Sequence, residues 1–115
     1  MKDQNINDLL NQALSLHHDG KLEKADDIYL LILDQDENNF SANHLHGCIL
    51  SQNLKYKDAL LYLKKACDID PNNYEANNNL GIVYKNLKDL KNSEQSFKKA
   101  MLLNSNEYKA YFNCA

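Results

Sequence analysis

The sequence predicts an all-α protein made of stacked antiparallel helix hairpins, and three observations predict it. Breakers are scarce, with one Pro and three Gly in 115 residues, so long stretches can run as helix without interruption. Apolar and small residues recur at i, i+3, i+4 and i+7, the spacing of one helix face. The sequence also lines up on itself at a 34-residue offset without insertion, and Ala13, Gly47, Gly81 and Ala115 fall in one column.

A short extension, residues 1–5, precedes the first unit, residues 6–39. This unit places Ala13 and Leu16 on its first helix and turns at Asp19-Gly20. Leu22, Ala25, Tyr29 and Ile32 fall on its second helix, and Gln35 to Asn39 lead out of it. In the second unit, residues 40–73, Asn43, His46, Gly47 and Leu50 share a face of the first helix. Tyr56, Ala59, Leu60, Leu63, Ala66 and Cys67 share a face of the second. Asp70-Pro71-Asn72-Asn73 then ends the unit, because Pro removes the N–H that continuation needs. The third unit, residues 74–107, repeats the pattern with Asn77, Leu80, Gly81 and Tyr84, then Leu90, Ser93, Phe97 and Ala100. Asn104-Ser105-Asn106-Glu107 occupies the place of the break, so residues 108–115 are expected to be the truncated first helix of a fourth unit. Small residues (Ala13, Gly47, Gly81) matched by bulky ones (Tyr29, Leu63, Phe97) let the two helices of a hairpin approach closely.

These columns, the helix–turn–helix unit and the terminal Pro together resemble the tetratricopeptide repeat. The third unit fits best, with Leu80-Gly81, Tyr84, Phe97 and Ala100 in signature places. The second fits through Gly47, Ala59, Leu63, Ala66 and Pro71, and the first keeps Ala13, Gly20, Ala25 and Tyr29. The chain departs from the family at its usual Trp place, occupied here by Leu9, Asn43, Asn77 and Tyr111. The usual Leu place holds Gln12 and His46, and Glu37 and Ser105 replace the terminal Pro. Looser packing is expected at these points. The resemblance implies a tetratricopeptide-like alpha-alpha superhelix, a right-handed solenoid whose first helices line a concave groove.

Charge and cysteine usage narrow the function classes. The formal charge is −3, and all thirteen cations are Lys. Without the planar fork of Arg, reading of guanine and bidentate phosphate recognition are disfavoured, so no nucleic-acid partner is expected. Three lysines face nine acids up to Leu54, whereas ten face seven beyond it. That asymmetry, with an uncapped apolar end, favours end-to-end self-association. Cys48, Cys67 and Cys114 form an odd set without a CxxC pair, so no disulfide framework or zinc site is indicated. Residues 1–10 carry no signal-like apolar run, and no segment reaches the length of a membrane span. A cytoplasmic protein without a membrane partner is the expectation.

Mapped on the groove that the resemblance implies, the lining includes Asn11 and Leu14 from the first unit and His44 and Cys48 from the second. Asn78, Asn79 and Ile82 come from the third, and Lys109 and Asn113 from the last segment. Asn11, Leu45, Asn79 and Asn113 form one column. An Asn amide both donates and accepts, so such a column can pair with the backbone of an extended peptide. It resembles the asparagine ladder of O-linked N-acetylglucosamine transferase arrays. The carboxylate clamp of chaperone-binding repeats fits worse: His44, Cys48, Asn79, Lys109 and Asn113 meet two of its places and supply no Arg. His44 and Cys48, at i and i+4, have a spacing that can share a metal, but no third ligand is fixed, and no metal or other cofactor is expected. His46 is expected as a partly buried core histidine. No phosphate loop, nucleophile elbow or carboxylate pair is present, so the chain itself is not expected to be an enzyme. Two functions remain. One is a module holding an extended peptide or partner helix in its groove. The other is the substrate-recruiting array of a larger glycosyltransferase.

Overall fold

A computed structural model describes residues 5–113, with side chains described as far as Asn104. Six helices follow one another: α1 (Ile6–His18), α2 (Leu22–Gln35), α3 (Phe40–Gln52), α4 (Tyr56–Ile69), α5 (Tyr74–Asn86) and α6 (Leu90–Asn113). No strand occurs among the described residues. Helices consecutive in the chain pack on each other, and α3 also touches α5. The radius of gyration is 15.2 Å, against about 13 Å for a compact domain of this length. The molecule is therefore a stack of neighbours, as a repeat array requires.

The first helix of each hairpin starts on an asparagine, and these caps recur every 34 residues. Asn5 Oδ1 accepts from the Asn7 amide at 2.8 Å, Asn39 Oδ1 from Ala42 at 2.9 Å and Asn73 Oδ1 from Ala76 at 2.9 Å. Each cap satisfies one of the orphan donors of a helix start. The first helices also end alike. Lys21, Lys55 and Asp89 donate their amides five residues back to Leu16, Leu50 and Tyr84, at 2.8, 2.9 and 2.9 Å. Inside each such bond a residue takes the left-handed conformation, Gly20 at φ 80°, Leu54 at 64° and Lys88 at 68°. This is the Schellman closure of a helix.

The hairpins close on the small-against-bulky pairing. A methyl placed on Gly47 would lie 2.8 Å from Leu63 Cγ, and one on Gly81 would lie 2.8 Å from the Phe97 ring. Between hairpins the packing is partly polar. His46 Nδ1 lies 2.6 Å from Asp26 Oδ1, and its ring stands edge-on to Tyr62 at 4.5 Å between centroids. This side chain, 6% exposed, is held through Nδ1 and its ring rather than loosely fitted.

Two expectations are corrected. Asn43 and Asn77, in the family's Trp place, do not loosen the stack. Asn43 Nδ2 donates to the carbonyls of Glu37 at 3.0 Å and Asn39 at 2.8 Å, and Asn77 does the same to Pro71 and Asn73 at 3.0 and 2.8 Å. Each amide ties the connecting loop to the helix that follows it, replacing apolar area with two satisfied carbonyls. The second correction concerns residues 104–107, where a unit boundary was expected. There α6 runs unbroken to Asn113. Residue 105 is Ser, which keeps its N–H, and the place of Asn43 and Asn77 falls to Tyr111, which has no amide to seize loop carbonyls.

Candidate functional site

The first helices of the three hairpins share a trough of about 400 Å³. Its lining takes His17 from α1, His44, Leu45 and Cys48 from α3, and Asn79 and Ile82 from α5. Helical spacing explains the grouping: 44 and 48, like 79 and 82, are one turn apart on their helices. Ser51, Gln52 and Glu75 complete the rim.

Its centre is a hydrogen-bonded cluster. Asn79 Nδ2 lies 3.0 Å from His44 Nε2 and 3.2 Å from Cys48 Sγ. An amide nitrogen only donates, so His44 accepts at Nε2 and is the neutral ring with its proton on Nδ1. Burial lowers the His44 pKa from its ordinary value, with Glu75 pulling the other way. The Cys48 thiol is pushed up to about 11, first by burial and then by Glu75, against the lowering effect of its bond from Asn79. The cluster is thus uncharged near neutral pH, and Cys48 is held in the thiol form, the weaker nucleophile. At the end of α1, His17 Nδ1 lies 2.9 Å from the hydroxyl of the fully buried Tyr29. Desolvation raises that phenol to about 12, so it stays protonated beside the imidazole.

Of the sequence-predicted residues, the trough joins His44, Cys48, Asn79 and Ile82. Asn11 and Leu14 are exposed on α1 outside this lining, and Asn78 is half-buried beside it. Lys109 and Asn113 lie beyond the residues whose side chains are described. Both amide hydrogens of Asn79 are engaged inside the protein, which leaves only its carbonyl oxygen for a ligand. Gln52 was overlooked by sequence reasoning, although it lies one turn beyond Cys48 on the same helix. Among the described residues, no group of three or more His, Cys, Asp or Glu is placed to hold a metal ion.

Family comparison bears on this arrangement. Residues 47–88 match the family model described as TPR repeat, and residues 74–107 match that of the tetratricopeptide repeat. The chain contains tetratricopeptide repeats. Solved structures share the fold of this tetratricopeptide array. The second TPR of Spaghetti (RPAP3), solved with the HSP90 peptide SRMEEVD, superposes at a TM-score of 0.80 with 21% identity, over 88% of this chain and 94% of that one. The Sgt2 TPR domain from Aspergillus fumigatus gives 0.77 with 19% identity, over 88% of this chain and 67% of that one. MamA from MSR-1 gives 0.76 with 19% identity over 90% of this chain, which spans 59% of the MamA chain. No curated protein sequence matches this one. Across the tetratricopeptide trough the middle helix, α3, carries no Lys, Arg, Asp or Glu. Among the described residues, Glu75 is the one carboxylate in the lining, and no lysine joins it.

Proposed function

We propose that this chain is a protein-interaction module that holds an extended peptide or a partner helix in the trough of α1, α3 and α5. The observation that carries the reading is the convergence of His44, Cys48, Asn79 and Ile82 in one concave site spanning three hairpins. Similarity of fold to a repeat domain solved with a peptide supports it. The chemistry of the lining favours neutral or basic ligands. Among the described residues an acidic tail would meet Glu75 without a lysine to balance it, and opposed like charges are disfavoured in a partly desolvated site. The glycosyltransferase-array reading leans on the asparagine column. With the Asn79 amide engaged internally and Leu45 interrupting the column, that reading has the weaker support.

The test is a random-peptide phage selection against the chain, followed by amide chemical-shift mapping of the selected peptides. Shifts are expected on α3 and α5 around His44, Asn79 and Ile82. Ile82→Glu, on a side chain 39% exposed, is expected to lower affinity by about tenfold or more. Binders that map to α2 and α4, or that bind Ile82→Glu unchanged, would sink the proposal.

A further inference from the structure

A second depression, of about 390 Å³, lies between α2 and α4 and shares no residue with the trough. Leu33, Tyr62 and the buried Asn43 form part of its wall, and Leu30 and Leu61 stand at its edge, 44% and 67% exposed. The 34-residue register supplies a control within the same molecule. One unit on, the places of Leu30, Leu33, Leu61 and Tyr62 are held by Lys64, Cys67, Gln95 and Ser96. The same places one unit on carry no large apolar side chain, so the repeat pattern itself does not call for leucines there.

Charge around these leucines indicates what covers them. On α2, Leu30 is flanked by Asp27 and Asp34, at i−3 and i+4; on α4, Leu61 is flanked by Lys64 and Lys57, at i+3 and i−4. All four charged residues are exposed, and none takes part in an ion pair among the described residues. Both helices are the second of their hairpin and run the same way. A two-fold axis lying between two such faces and parallel to these helices lays α2 of one copy parallel on α4 of the other. Asp27 then lies beside Lys57, Leu30 meets Leu61, and Asp34 lies beside Lys64, each charged pair within one residue of level. The symmetry makes the same set of contacts twice, as a closed isologous interface does.

We propose that this chain forms a two-fold dimer through the α2–α4 face. Sedimentation velocity at about 100 μM, well above a micromolar dissociation constant, is expected to find the native chain dimeric. Leu61→Glu is expected to be monomeric with an unchanged helical circular-dichroism spectrum. Two charge-reversed variants make the test specific. Asp27→Lys/Asp34→Lys and Lys57→Glu/Lys64→Glu each oppose like charges in their own dimers, and each alone is expected to associate at least about tenfold more weakly. Mixed, they restore every pair and are expected to form a heterodimer within about threefold of native affinity. A monomeric native chain, a dimer that survives Leu61→Glu, or a mixture that stays monomeric would overturn the proposal. None of these outcomes bears on the trough.

Discussion

The three left-handed turns isolate the cost of a backbone conformation. Gly20, Leu54 and Lys88 occupy the same place in successive hairpins, with φ of 80°, 64° and 68° and the same closing hydrogen bonds. An L-residue held there pays roughly 1–2 kcal/mol, and glycine gives back roughly 0.5–1 kcal/mol through its freer unfolded chain. Leu54→Gly and Lys88→Gly should therefore each stabilise the protein by about 0.5–1 kcal/mol, and Gly20→Ala should cost about as much. The Gly20 variant is a clean control, because a methyl there meets nothing within 4 Å. Leu54 is 70% exposed, so its truncation removes little packing. The assay is urea unfolding followed by circular dichroism at about 222 nm, fitted at a common slope. A midpoint shift of about 2–4 °C per variant is expected in thermal melts. Gly20→Ala without effect, or glycine variants that lose stability, would mean that φ does not govern these turns.

Three further outcomes follow from the same geometry. Asn77→Ala leaves the Pro71 carbonyl without its donor and the Asn73 carbonyl with only the backbone N–H of residue 77, so urea denaturation should register a loss of about 1–3 kcal/mol; a loss below about 0.5 kcal/mol would contradict the stitching role. Gly47→Ala should destabilise more than Gly81→Ala, since the fully buried Leu63 has no room to yield whereas the half-buried Phe97 ring can tilt outward. Equal midpoints for the two would refute this, as would the reverse order. For pH, burial holds His44 below its ordinary 6.5, so the unfolded chain binds a proton that the native one refuses. Its contribution is whole above pH 6.5 and is lost as pH falls below that value. The slope of stability between about pH 5 and 7 should flatten in His44→Gln, and an unchanged slope would exclude His44 as its source.

Much of the architecture was legible because it rests on side-chain size at fixed intervals. Gly47 opposite Leu63 and Gly81 opposite Phe97 appear in the sequence as columns and in the structure as close approaches. The turn at Gly20 carried its signal in residue type. Those at Leu54 and Lys88 did not, because helix packing on both sides imposes a conformation these side chains disfavour. Asn43 and Asn77 looked like poor substitutes for a large aromatic, since sequence reveals a missing volume but not the carbonyls that an amide will reach. In the site, the groove that the family resemblance implies included His44, Cys48, Asn79 and Ile82, and these four line one trough in the structure. The resemblance did not reveal that Asn79 turns its amide toward its neighbours, which depends on the distance between α3 and α5 rather than on either helix alone.

The asparagine seam has an evolutionary consequence. Asn43 and Asn77 grip peptide carbonyls, which every amino acid possesses, so the seam makes few demands on the composition of the loop it holds. A duplicated hairpin inserted at such a seam would find matching atoms on either side from its first generation. Growth of the array by copying whole units then needs no simultaneous compensating change, and each new copy is free to diversify its exposed flanks.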